Sequence, residues 1–229
     1  MENLLSNNYY NKSKKGLFIS FEGGEGVGKS TQIELLKTSL TKKNINVLST
    51  REPGGTKEGE LIRKFLVSGE INSWDSYSES LLFNALRREH INKIINPSLF
   101  KGDIVLCDRF IDSTIVYQGV GGAINETLLL SLHKNFCYDL YPDITFFLSL
   151  DPKVGLDRTL SRNNKTENRF ENMGLSYHQK IQDGFKALSD KNNKRFFEIN
   201  AELSVEKISN QIYDHVLGKR VHTLPLLLL

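Results

Sequence analysis

One short run limits what this chain can become more than any other: Gly23-Gly24-Glu25-Gly26-Val27-Gly28-Lys29-Ser30 fits G-x-x-x-x-G-K-[ST] at every fixed position. The apolar stretch Leu17–Phe21 precedes it and a helix-period pattern from Gln32 to Leu40 follows. The segment therefore reads as strand, glycine-rich turn and helix, the context the motif requires. Such a turn aims successive backbone N–H groups inward at a helix N-terminus, where the dipole favours anions. A nucleoside triphosphate is the ligand that fits. Lys29 would reach the β- and γ-phosphates, and the Ser30 hydroxyl would ligate Mg2+.

A phosphate loop needs a sheet behind it. Apolar runs at Leu17–Phe21, Asn46–Thr50, Ile104–Cys107, Ile144–Leu150 and Phe196–Asn200 alternate with helical segments starting near Gly28, Glu58, Ser76, Glu126, Lys153, Leu175 and Ser204. That alternation predicts an α/β fold: a three-layer P-loop NTPase architecture with a five-stranded parallel sheet and helices on both faces. Asp151 and Ser204 are expected to cap the helices behind them. The 229 residues, with 39% hydrophobic and 25% charged content, suit one compact domain. We place it at 16–217, with a polar, mobile extension at 1–15 and a tail at 218–229. The apolar tail end, Thr223 to Leu229, is too short to cross a bilayer, and nothing in it chooses between surface packing and an interface.

A net charge of +3 is too mild for a nucleic-acid or membrane partner, though it suits small anions. Cys107 and Cys137 lack a Cys-x-x-Cys partner and read as buried thiols. With no signal-peptide pattern, a cytoplasmic protein is expected.

The loop alone leaves a GTPase, a motor and a kinase open. Asn164-Lys165-Thr166-Glu167 is a poor guanine-reading box, because it ends in Glu and follows no strand. Asp108, at the end of Ile104–Cys107, is placed to orient Mg2+ and its waters. Arg109 beside it offers a cation for an acceptor phosphate. Ser161 to Asn172 is polar, with almost no apolar content, and reads as a lid at about 161–172.

Several stretches in order then resemble the thymidylate kinase family, in its bacterial type: Phe21-Glu22-Gly23-Gly24-Glu25-Gly26, Thr50-Arg51-Glu52-Pro53-Gly54-Gly55-Thr56, Leu81 to Arg87, Asp108-Arg109-Phe110-Ile111-Asp112-Ser113 and Tyr117-Gln118-Gly119. The resemblance covers about Gly16 to Leu217. It implies ATP and Mg2+ as cofactors, dTMP as the small-molecule substrate, dTDP as the product and a homodimer. Gly23, Gly24, Glu25, Gly26, Val27, Gly28, Lys29, Ser30 and Thr31 would bind ATP, with Arg158 touching its base or phosphates; Ser30 and Asp108 would serve the metal.

On the acceptor side, Phe83 resembles the ring that stacks on thymine, with Arg87 four residues on as donor to O4. Arg63 and Arg109 resemble the phosphate clamp. Thr114 and Gln118 resemble the positions at N3, and Tyr117 the residue crowding the ribose 2′ position. Glu52 and Pro53 would lie near sugar and phosphate, and Ser113 would contact the substrate. Val116, where the family usually has Ala, and Phe110, where Tyr is common, depart from the pattern.

No cation stands inside the phosphate loop, where Glu25-Gly26-Val27 occurs. The bacterial type carries its transition-state arginine on the lid. Arg169, in Asn168-Arg169-Phe170-Glu171, is the first candidate and Arg162 the second. Lys29, Arg109 and these arginines form the catalytic set. The acceptor, with a second pKa near 6, is already mostly dianionic at neutral pH and demands no general base.

Overall fold

The computed structural model describes residues 15–71, 73–160 and 169–223. Strands β1 (Leu17–Glu22), β2 (Val47–Arg51), β3 (Ile104–Asp108), β4 (Ile144–Ser149) and β5 (Phe196–Asn200) form one parallel sheet in the order β2-β3-β1-β4-β5. Each lies within a residue or so of the run expected for it. β1 is buried from Phe18 to Glu22, as a central strand covered on both faces must be. Its central place puts the loop that follows it in the middle of the carboxyl edge, where parallel sheets bind ligands. Phe21 pairs with Asp108 of β3 and with Phe146 of β4. The register thus brings Asp108 beside the phosphate loop.

Alternate residues of β1 enter opposite cores. Phe18 packs with Val105, Phe110, Ile111, Phe147 and Phe185 on one face. Ile19 and Phe21 pack with Leu36, Leu106, Phe146 and Ile212 on the other. The second face is covered by α1 (Lys29–Thr41) and α9 (Val205–Thr223). α2 (Lys57–Val67) is capped by Thr56, whose side chain accepts from Gly59 N. α3 (Ser76–His90) is capped by Asp75, which accepts from Tyr77 N and Ser78 N. It continues through a π-helical turn, Ile91–Ile95, into α4 (Asn96–Lys101). Asp151 and Ser204 cap as expected: Lys153 N donates to Asp151 Oδ1 at 2.8 Å ahead of α7 (Pro152–Leu160), and Lys207 N to Ser204 Oγ at 3.3 Å.

Two elements differ from expectation. α5 (Ile111–Thr114) and the π-helical run Ile115–Gly121 occupy a stretch with no helical reading. Ile111, Thr114, Ile115, Val116, Gly119 and Gly121 all disfavour helix. Burial overrides that preference, since every residue from Ile111 to Gly119 is buried. This segment packs on α8 (Leu175–Lys191), where a Cβ at Gly184 would stand 3.1 Å from Val116 Cγ1. The small residue makes room for the larger valine. The second difference is the domain end: α9 runs to Thr223, past the boundary placed at 217. α6 (Glu126–Phe136) completes the elements described here. Cys107 and Cys137 are buried and unpaired, and burial pushes the Cys137 thiol up to about 11. Among the described residues, no helix is long and apolar enough to cross a membrane.

Candidate active site

The phosphate loop is built as its glycines demand. Gly26 sits at φ 68°, and a Cβ there would lie 2.0 Å from the carbonyl of Gly155 on α7. Only glycine fits both the backbone angle and the space. Val27 is buried beneath the loop. Lys29 Nζ donates to the loop's own carbonyls, Gly23 O at 3.2 Å and Gly24 O at 2.8 Å. Burial and the nearby Arg109 charge lower the Lys29 pKa, with Asp108 and Glu25 opposing. Ser30 Oγ donates to Asp108 Oδ2 at 2.8 Å. A hydroxyl and a carboxylate side by side form an oxygen donor set suited to Mg2+, which takes few protein ligands and completes its shell with phosphate and water. Thr31 is exposed on the first turn of α1, and Arg158 Nη1 reaches the Ala201 carbonyl just after β5 at 3.5 Å.

Beside the loop opens a cleft of about 110 Å3. Glu52, Pro53, Arg63, Phe83, Arg87, Arg109, Ser113, Thr114, Tyr117 and Gln118 all line it, so the fold brings every expected acceptor-side residue to one place. Glu25 of the phosphate loop lines it too, which joins the two halves.

Most polar side chains there have a partner that sets their direction. Arg87 Nε donates to Glu52 Oε2 at 2.7 Å and its Nη2 to Thr114 Oγ1 at 2.9 Å. Its Nη1 is buried with no hydrogen-bond partner. A buried donor left over in a lined cleft is costly without a ligand. Glu52 also meets His90 Nδ1 at 3.0 Å. Arg63 Nη1 donates to the Pro53 carbonyl at 2.7 Å. Arg109, at φ 67°, donates from Nη1 to Gly23 O and Ser113 Oγ, and from Nη2 to Glu25 Oε1 at 2.8 Å. The Tyr117 hydroxyl donates to the same Glu25 oxygen at 2.9 Å. Burial works against the Glu25 charge, but Arg109 and Lys29 outweigh it and hold its pKa below the ordinary value. Burial likewise opposes the Arg109 charge, and Tyr117, Glu25 and Asp108 outweigh it to raise that pKa.

One of the two lid arginines is placed differently from expectation. Arg162 lies outside the described residues. Arg169, the first candidate for the transferring phosphoryl, is buried elsewhere. Its Nη1 donates to the Leu66 carbonyl at 2.6 Å and its Nε to that of Ile71 at 3.3 Å, and Nη1 also forms an ion pair with Glu79. A guanidinium so occupied is a strut between α2 and α3. Breaking a buried pair from one side costs about 3–5 kcal/mol. Arg169→Ala is therefore expected to lower the thermal midpoint by roughly 10 °C while kcat, read well below that midpoint, stays within a few-fold. A thousand-fold kcat loss at an unchanged midpoint would return Arg169 to the reaction.

Sequence reasoning passed over several residues. Val67, Phe110, Phe170 and Glu171 also line the cleft. Behind it, Glu22 is fully buried and accepts from Phe110 N at 2.8 Å and Ser113 Oγ at 2.6 Å, holding the turn that carries Arg109. The available signal was an acidic residue ending a largely apolar strand. Burial, and then the Asp112 charge, push the Glu22 carboxyl up to about 8, against the hydrogen bond from Ser113. The folded form therefore holds this proton more tightly than the unfolded chain. Its stabilisation is complete below the unfolded value of 4.5 and is lost as pH rises through about 8. Wild type should lose a few kcal/mol relative to Glu22→Gln over that window. Urea unfolding from pH 5 to 8.5 reads this, and equal slopes in the two proteins would rule it out.

The family model for thymidylate kinase matches residues 21–212. The chain is 44% identical to a thymidylate kinase of Magnetococcus marinus over 205 residues, which cover 90% of this chain and 97% of that protein. It is 41% identical to one of Caulobacter vibrioides, covering 90% and 98%. Among solved structures, thymidylate kinase from Ehrlichia chaffeensis aligns with a TM-score of 0.73 at 36% identity, covering 88% of this chain and 98% of that one. The family model and these relatives each match most of the chain, and the chain belongs to the thymidylate kinase family.

Proposed function

We propose the residue roles by which this kinase, as a member of that family, phosphorylates dTMP to dTDP with ATP as donor. One observation carries the reading: the phosphate loop and a cleft fitted for a pyrimidine nucleotide share Glu25 and Arg109 as a common wall. The loop amides hold the triphosphate, and Lys29, now resting on the Gly23 and Gly24 carbonyls, turns to its β- and γ-phosphates. Mg2+ held by Ser30 and Asp108 would supply charge neutralisation on the phosphate oxygens. Phe83 offers a face to the base. The unpartnered Arg87 Nη1 donates to O4, and Arg63 and Arg109 grip the 5′-phosphate of the acceptor. Tyr117, fixed by Glu25, crowds the ribose. Two fixed anions in line leave positioning and charge stabilisation as the work of catalysis. With Arg169 occupied, Arg162 is the remaining lid candidate for the transition state.

Exposed apolar residues recur at helical spacing on α2 (Leu61, Phe65) and α3 (Tyr77, Leu81), with Phe65 70% exposed. These faces suit the homodimer that the family resemblance implies, and we assign the enzyme to the cytoplasm. Sedimentation at micromolar concentration should give twice the chain mass; a monomer would rule the dimer out. For the reaction, a coupled ADP-release assay with Mg2+, ATP and dTMP, dUMP, dCMP, AMP or GMP is decisive. Release is expected with dTMP. An enzyme that ignored dTMP and consumed another monophosphate would overturn the reading.

A further inference from the structure

Glu79 lies on α3, one helical turn before Phe83, and is buried. Its Oε2 accepts from Gln118 Nε2 at 2.7 Å, and its Oε1 lies in ion contact with Arg169, though no well-directed hydrogen bond joins that pair. A carboxylate can only accept. The NH2 end of the Gln118 amide must therefore face Glu79, since the carbonyl end would set lone pairs against lone pairs. That leaves Oε1, an acceptor, as the end of the amide free for a ligand in the cleft Gln118 lines. Arg87, whose Nη1 is buried without a hydrogen-bond partner, lines the same cleft.

We propose that Glu79 is a positioning residue that sets base specificity by locking the Gln118 amide with its oxygen toward the substrate; this rests on the pyrimidine cleft described above. A 2,4-dioxopyrimidine presents an acceptor at O4 and a donor at N3–H, the complement of Arg87 and Gln118. A 4-aminopyrimidine presents a donor and an acceptor at those positions and meets like groups at both. Specificity then comes from unpaired polar groups in the wrong complex. Because the choice is made by an amide that could turn over, it needs a group that forbids turning. Glu79 is that group, and Arg169 holds Glu79 in place from the other side.

Glu79→Gln tests this directly. The new side chain's oxygen goes to Arg169, which can only donate. Its NH2 then faces Gln118, whose amide turns and offers NH2 to the cleft. The ratio of kcat/KM for dTMP over dCMP is expected to fall at least roughly tenfold, chiefly through KM for dTMP, with KM for ATP unchanged. Glu79→Asp keeps an acceptor-only partner and retains most of the ratio. A merely structural Glu79 would lower both substrates alike and suffer from Asp as much as from Gln; that result overturns the proposal. Should Glu79→Gln not fold, Gln118→Leu decides: full discrimination there overturns it, and loss supports it. Wild type is assayed alongside, so a wrong substrate reading appears as inactivity of the unaltered enzyme. A wrong Glu79 assignment appears as active variants with an unchanged ratio.

Discussion

Lys29→Met should lower kcat by at least about 10²–10³, the scale of losing one preorganised donor to transition-state charge. Methionine nearly matches the buried stem, so the fold is preserved while the ammonium goes. Lys29 is the cation that the phosphate loop itself supplies, as Glu25-Gly26-Val27 adds none. Its Nζ donates to two loop carbonyls, so the side chain has a resting place beside the loop from which it can transfer to phosphate oxygens at little cost. Pre-steady-state quench at saturating ATP and dTMP isolates the chemical step. A kcat within threefold of wild type would remove Lys29 from the transition state and leave it a scaffold for the loop.

The second large effect is expected at Arg109. Its guanidinium touches the phosphate loop through Gly23 and Glu25, the α5 turn through Ser113, and the ring of Tyr117, with its carbon 5.0 Å from the ring centroid. Truncating one side of such a desolvated charge contact costs about 2–5 kcal/mol. Arg109→Ala should lower kcat/KM for dTMP by about 10²–10³ while KM for ATP moves less than about threefold. Arg109→Lys should recover little, since an ammonium cannot present a fork to phosphate and to Glu25 together. Equal losses in both substrates would mean that the residue shapes the loop rather than gripping the acceptor. The left-handed backbone at Arg109 makes that distinction worth drawing, because Glu22 maintains the turn from beneath.

Much of the fold was legible because its signals are local. The five apolar runs, the caps at Asp151 and Ser204 and the glycine spacing each act over a few residues. The segment Ile111–Gly121 was not legible as helix. Its β-branched residues and glycines speak for a strand or a turn, and only the space between the sheet and α8 makes them coil. In the site, the motifs placed Phe83, Arg87, Arg109 and Gln118 among the acceptor residues, but their hydrogen-bond directions were out of reach. Arg169 shows the cost of reading a motif without its partners: an arginine in a polar run invites a catalytic role, yet Glu79, ninety positions earlier, and the end of α2 have claimed it.

What the chain determined by itself is the donor site. The loop's backbone angles and its reach to phosphate are written into eight consecutive residues, because main-chain amides and one helix start are enough to make an anion nest. What only the tertiary structure decided is the acceptor site. Glu52, Phe83, Arg109 and Gln118 come from the ends of β2 and β3 and from separate helices, and each takes its direction from a partner far away in sequence. A donor's or acceptor's orientation is a property of the pair, and the pair exists only once the sheet register and helix packing have brought its two members within about 3 Å.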